Sequence, residues 1–438
     1  MHKTLASAAL VIGLAVGMTV LAFQRSLAIQ LSQESTWGGP AEDEAIDVAV
    51  TSDGSVYVTG TTLSFGAGER DAFLLKYSPD GSLEWQRTYG AAVVPPFFSP
   101  NDFGDGVAAA ADGSAYIIGQ LSGGKLFLVK FAGDGSVLWE RTWGNGGHFA
   151  SAVEVAADGS VYVAGGTFNF GAGQADALLL KFTPDGLLVW ARTWGGASRD
   201  DVADMAIGAD GGIYLTGETS SFFWNDAFLV KFAPDGTLLW QRDWGTMGDL
   251  NPNGTIAWGV GTAADGSVYI TGTSNTPKGS VMIVKFDAEG ALLWERIAGE
   301  GFLDAFDVAV AADGNVYVTG YAHFDAAPQV DAFVIKLLAD GRPKEAVTWG
   351  GAVSDVGSAI AVASDGAVLI AGTAGAPPYA TRRVPPRMTT PNGFLISPAG
   401  TVTAPEEPIG IPLGIVTSPR GSTTFGGATD AMLVRLRP

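Results

Sequence analysis

The stretch Asp47-Val-Ala-Val-Thr-Ser-Asp-Gly-Ser-Val-Tyr-Val-Thr-Gly60 is continued by Asp71-Ala-Phe-Leu-Leu-Lys-Tyr77, Pro79-Asp-Gly81 and Trp85-Gln-Arg-Thr-Tyr-Gly90, and versions of it recur to the end of the chain. Its leading Asp-Gly falls at Asp53, Asp112, Asp158, Asp210, Asp265, Asp313 and Asp365, with spacings of 59, 46, 52, 55, 48 and 52 residues. Self-similarity at this period marks a repeat architecture.

Each unit holds four strand candidates. Residues 47–50, 55–59 and 72–77 are apolar on both faces, as expected of strands covered on both sides. The first is built of small residues, most plainly Ala108-Ala-Ala-Ala111, which suits a crowded axis. In the fourth, Trp85, Arg87 and Tyr89 share one face by the period of two, as in a half-exposed outer strand. Asp53-Gly54 joins the first pair of strands and Asp80-Gly81 the second, since glycine takes positive φ at little cost and Asp tolerates it. Two hairpins make a four-stranded antiparallel sheet, and such a sheet repeated around an axis is a β-propeller blade.

The chain ends make the closure explicit. Asp430-Ala-Met-Leu-Val-Arg-Leu436 is a third strand with no fourth after it, whereas Glu34-Ser-Thr-Trp-Gly-Gly39 matches the fourth strand Ala191-Arg-Thr-Trp-Gly-Gly196 with no blade before it. The N-terminal strand is therefore expected to complete the last blade, giving an all-β ring of seven blades without an exposed edge. Residues 374–429 carry ten of the 22 prolines and interrupt the seventh unit, so they read as an insertion, or as one degraded blade of an eight-bladed ring.

The repeat resembles the seven-bladed β-propeller (SBBP) repeat family through Gly-Ser-Val-Tyr-Val-Thr-Gly60, Asp-Ala-Phe-Leu-Leu-Lys76 and Trp-Gly-Gly39, over about residues 34–437. The resemblance implies a secreted or surface bacterial propeller, in a family without a single assigned activity.

Residues 1–28 read as a targeting segment. Lys3 precedes a charge-free run from Leu5 to Phe23, and Ser26-Leu-Ala28 fits a signal-peptidase site that leaves Ile29 as the new N-terminus. A run of that length also reaches across a bilayer, so an uncleaved N-terminal anchor is the alternative. Residues 29–438 are then exported, secreted, periplasmic or at the surface of a bacterium.

Composition narrows the partners. A formal charge of −20 and pI near 4.4 argue against DNA, RNA and anionic membrane surfaces. There is no cysteine, hence no disulfide frame and no thiolate site, and three histidines limit catalysis. No cofactor is implied beyond possible Ca²⁺. The expected partner is an extracellular protein or glycan, bound by a monomer.

Both Asp-Gly turns of a blade lie on one face of the ring, and the variable connections lie on the other. Binding belongs on the variable face. Phe222, Phe223 and Trp224, three consecutive aromatics in one connection, are candidates there, with Trp258, His148, Arg199, Asp200 and Asp201. Most loop phenylalanines, among them Phe65, Phe168 and Phe170, are expected to seal the blade interfaces. The three-residue spacings Glu44/Asp47, Asp201/Asp204 and Asp304/Asp307 form a ring of carboxylates that suits a calcium ion, against the plainer reading that they cap turn amides. A polysaccharide hydrolase or lyase using Asp200, Asp201, Asp304 and His148 is the alternative to a non-catalytic scaffold. No Gly-x-Ser-x-Gly elbow supports it. Lys76 and its equivalents, and Arg87 stacked between Trp85 and Tyr89, are stamped on the repeat and therefore read as structural.

Overall fold

A computed structural model describes residues 29–91, 100–221, 226–244, 254–274, 280–298, 302–323, 330–350, 353–376, 414–415 and 429–437. Residues 1–28, the aromatic run Phe222, Phe223 and Trp224, and nearly all of the Pro-rich segment lie outside them.

Seven antiparallel sheets follow one another around an axis. The first blade runs Asp43–Val50, Val56–Thr62, Asp71–Tyr77 and Leu83–Tyr89, from axis to rim, in sequential order. The seventh takes Ser354–Val362, Val368–Ala376 and Asp430–Arg437 from the C-terminal part, and its outer strand is Gln30–Trp37, antiparallel to Asp430–Arg437 with Trp37 opposite Ala431. The expected interlock is present. Among the described residues there is no eighth blade: the sixth blade instead carries a two-residue fifth strand, Gly414–Ile415, parallel to its outer strand at Val347 and Thr348.

The turn chemistry explains the stamped residues. In the Asp53 turn, Gly54 has φ of 87°, its amide donates to the Thr51 carbonyl, and Asp53 Oδ1 accepts the Ser55 amide. Hydrogen bonds from Thr51 and Ser55 hold the Asp53 carboxyl below its usual range. At the rim, the Arg87 guanidinium lies over Trp85 at 5.3 Å while Nε donates to the Gly135 carbonyl of the next blade at 2.8 Å, and Trp85 Nε1 donates to the Gly133 carbonyl at 3.0 Å. The same stack recurs at Arg141, Arg192, Arg242 and Arg296. The second aromatic does not close the expected sandwich. Tyr89 instead packs on Phe127 of the following blade, at 4.8 Å between ring centroids, because that blade's apolar interior removes the ring from water. Rim and core are thus tied blade to blade, whereas Val137-Leu138, Leu188-Val189, Leu238-Leu239 and Leu292-Leu293 stay exposed outside blades two to five.

A feature without a sequence signature is the bulge in every inner strand, between Ala45 and Asp47 in the first blade. It skips one residue, so Glu44 and Asp47 pair with Thr61 and Thr59 and point to the same side. The seven inner strands enclose a central channel of about 330 Å³.

Candidate functional site

The channel wall is made of small apolar residues and four carboxylates, Asp47, Glu154, Asp204 and Asp307. Three of these directly follow the bulged residue and have the same structural role. Asp47 accepts its own neighbour's amide, Val48, at 2.7 Å and reaches across the seam to the Val107 amide of the next blade at 2.8 Å. Asp204 does this with Met205 and Val260, and Asp307 with Val308 and Ile360. Each substitutes a side-chain acceptor for the ladder bond that the bulge disrupts. Glu154 is different. It stands where the first blade has Ala49, and burial, followed by the charges of Asp204 and Asp47, pushes its carboxyl up to about 8.

The other expected calcium ligands have separate partners. Asp304 accepts the Thr273 hydroxyl at 2.7 Å and the Tyr321 hydroxyl, and Asp201 is paired with Arg199. Among the described residues no three His, Asp or Glu side chains converge as a cation's ligands would. Trp258 occupies the bulge position of the fifth blade and meets Phe306 edge-on at 6.2 Å. Asp200 is fully buried and held by the Gly196 amide and the Thr219 and Ser221 hydroxyls. The expected aromatic contacts Phe222, Phe223 and Trp224 are outside the described residues, so the site is built without them.

The second-to-third connection of the third blade, at its crown, lies between His148, which touches its Phe170, and the Arg199–Asp201 pair of the fourth blade, whose guanidinium covers its Phe168. Phe168 is 48% exposed and does not seal an interface as expected, whereas Phe170, 49% exposed, does bridge one, packing on Trp143 of the second blade at 5.6 Å. The Phe168 amide donates to the Gly147 carbonyl at 2.9 Å and Asn169 Nδ2 to the Gly146 carbonyl, which fastens the loop to the connection before it. Phe149 supports Phe168 at 6.0 Å and lies over Gly166, where a Cβ would come within 2.1 Å of the ring. The Arg199 guanidinium covers Phe168 at 5.8 Å while ion-paired to Asp201. Burial raises the Asp201 carboxyl against the opposing pull of that guanidinium.

Below Phe170, His148 is 1% exposed, stacked on Phe170 at 5.6 Å and tilted against Trp143 at 4.7 Å. Neither ring nitrogen has a hydrogen-bond partner, and burial lowers its pKa, keeping the imidazole neutral. His148 stands at the strand position that Asp43 and Asp200 hold in their blades. What singles the site out is departure from the repeat: the aspartate replaced by His148, and an exposed Phe168 where the first blade has Leu63, whereas Phe170 repeats Phe65, which is 37% exposed and packs on Trp37.

Comparison with known proteins gives a partial family match and two distant structural likenesses. A family model described as "Domain of unknown function (DUF5122) beta-propeller" matches residues 51–84 and 156–188. No curated protein matches the chain. Among solved structures, a Bacteroides caccae protein of unknown function is 12% identical with a TM-score of 0.44, over 67% of this chain and 93% of its own. A Xanthomonas campestris gluconolactonase is 16% identical with a TM-score of 0.37, over 66% of this chain and 87% of its own.

Proposed function

We propose that the protein is an exported, non-catalytic propeller of the SBBP repeat type that binds an extracellular glycan or protein through the crown of its third blade. Residues 1–28 supply the export signal or an anchor, and the ring acts as a monomer. The observation that carries this reading is the exposed Phe168–Phe170 segment, held by backbone ties and flanked by a partly buried ion pair. An apolar surface on a rigid frame, with a polar rim, is what recognition uses. The acid–base alternative finds less support. Asp200 and Asp304 are tied by fixed donors, and His148 is enclosed with no acceptor or acid beside it.

The test uses arrays of oligosaccharides and cell-surface polysaccharides, together with capture of surface proteins, for the wild type and a Phe168→Ser/Phe170→Ser variant. Binding lost in the variant at an unchanged melting temperature supports the crown. Hits retained in full by the variant, or reproducible hydrolase or lyase turnover by the wild type, count against it.

A further inference from the structure

At four seams on the loop face, the glycine that follows the aromatic residue ending the outer strand separates two carboxylates from neighbouring blades. These are Asp430 and Asp43 at Gly38, Asp71 and Asp102 at Gly90, Asp176 and Asp200 at Gly195, and Asp331 and Asp355 at Gly350. The first of each pair belongs to a third strand, the second to the start of the next blade's inner strand. One oxygen of each lies within 3.1 Å of the point that a Cβ on the glycine would occupy. The facing oxygens are thus about 5 Å apart or less, a range in which like charges oppose each other's ionisation.

Asp43, Asp102, Asp200 and Asp355 are 0% exposed, Asp71 and Asp176 1% and Asp430 6%, while Asp331 is half-buried. The two members of a pair are not equivalent. The inner-strand Asp102 accepts two amides, Ala91 and Ser122 at 2.6 and 2.7 Å, which cannot be inverted, whereas Asp43 and Asp200 each accept one amide and two hydroxyls. The third-strand member uses its far oxygen. Asp71 Oδ2 accepts the Gly68 amide at 2.8 Å, while Oδ1, the atom turned toward Gly90 and Asp102, has no donor, and Asp331 Oδ1 is likewise without one.

We propose that the Asp71–Asp102 and Asp331–Asp355 pairs each share one proton, carried on the third-strand aspartate's inward oxygen and donated to the inner-strand aspartate of the next blade, so that two of the seven seams are latched by an acid–carboxylate hydrogen bond. The proton supplies the one donor that the set otherwise lacks. A calcium ion fits less well: it takes six to eight oxygens, and no third acidic or imidazole group converges on any described pair.

The surroundings agree. Around Asp71 and Asp102, Arg70 is engaged with Glu42 and Phe103, and Tyr89 adds no positive charge. Burial first, then Asp102, raises the Asp71 carboxyl, and burial alone raises Asp331. At Gly195 the raised carboxyl is instead the inner-strand Asp200, through burial first and Asp176 last, so that pair does not follow the same pattern. Around Asp43 the donors are the Thr62 and Ser64 hydroxyls and the Gly39 amide. The remaining seams carry Lys125 with His148, Asp226 with Thr255, and Ser280 with Leu303, so none has a carboxylate pair.

The latch is fully present at low pH and is lost as pH rises through the raised folded-state pKa of the pair. Infrared difference spectra of the full chain, in a Glu154→Gln background that removes the channel carboxyl, test it. At pH 7 the C=O stretch of protonated carboxylic acids is expected, vanishing at alkaline pH and lost in Asp71→Asn/Asp331→Asn. Asp71→Asn, which keeps a donor facing Asp102, should hold the neutral-pH melting temperature. Asp102→Asn, which faces two amides with an NH₂ group, should lower it. Absence of the protonated band at pH 7 overturns the proposal, as does a band that Asp71→Asn/Asp331→Asn leaves intact. A melting temperature that shifts with Ca²⁺ and chelator in the wild type but not in Asp71→Asn/Asp331→Asn would assign the pairs to a cation instead.

Discussion

Glu154→Gln is expected to stabilise the protein, and by an amount that depends on pH in a defined way. The wall around Glu154 includes Asp47 and Asp204, whose oxygens are committed to amides of the next blades, so neither can move away from a third charge. The fold raises this carboxyl from its ordinary 4.5 to about 8. At about 1.4 kcal/mol per pH unit that difference sets an upper bound near 5 kcal/mol. Water in the channel screens part of it, leaving about 2–3 kcal/mol for the measured effect. The sign follows from linkage: the folded state holds a proton that the unfolded state has released, so wild-type stability falls from about pH 4.5 and levels off above about pH 8. Glutamine lacks that decline. Urea unfolding at pH 4.5, 6, 7.5 and 9 should show a variant-minus-wild-type difference that grows with pH and then becomes constant. A difference of the same size at every pH would refute the reasoning, because simple repacking does not titrate.

Other consequences can be checked in the same way. Gly90→Ala places a Cβ 1.9 Å from Asp71 Oδ1 and 3.0 Å from Asp102 Oδ2 and should cost about 2 kcal/mol or more in chemical unfolding. Arg87→Ala removes a stack on Trp85 and a bond to the Gly135 carbonyl; a loss of about 1–2 kcal/mol is expected, with similar values for Arg141→Ala if the repeat logic holds. Deleting residues 29–37 strips the outer strand from the seventh blade and uncovers Asp430–Arg437, which should lower the melting temperature and produce self-association in sedimentation analysis.

The fold was legible because its signals are local and repeated. Asp-Gly turns, the Trp-x-Arg outer strand and the orphan Glu34–Gly39 fragment each state a strand or its partner within a few residues. The inner-strand bulge was not legible, since Ala45-Ile-Asp47 contains nothing that marks an extra residue, and only its consequence, the spacing of three between carboxylates, showed. That spacing recurs along the chain, yet Asp47, Asp204 and Asp307 serve backbone amides of other blades, which no single unit contains. The same applies to Asp71 and Asp102: they lie in different repeats and meet only when the ring is assembled. Gly414–Ile415 on the sixth blade is a pairing of two residues without turn or pattern to announce it. At the candidate site, His148 and Arg199 were legible as polar residues of the variable face, and Asp201 as one of the recurring carboxylates. Phe168 was not, because an exposed phenylalanine and one that seals a blade look alike in sequence.

The central claim is that this ring is built from stamped structural chemistry and works through the crown that departs from it. Its most direct test is parallel array binding by the wild type, Phe168→Ser/Phe170→Ser and, as a control on the equivalent loop of the first blade, Phe65→Ser. The account predicts that the third-blade variant alone loses the wild-type hits while all three proteins melt alike. Loss of those hits in Phe65→Ser, with Phe168→Ser/Phe170→Ser still binding, would contradict it.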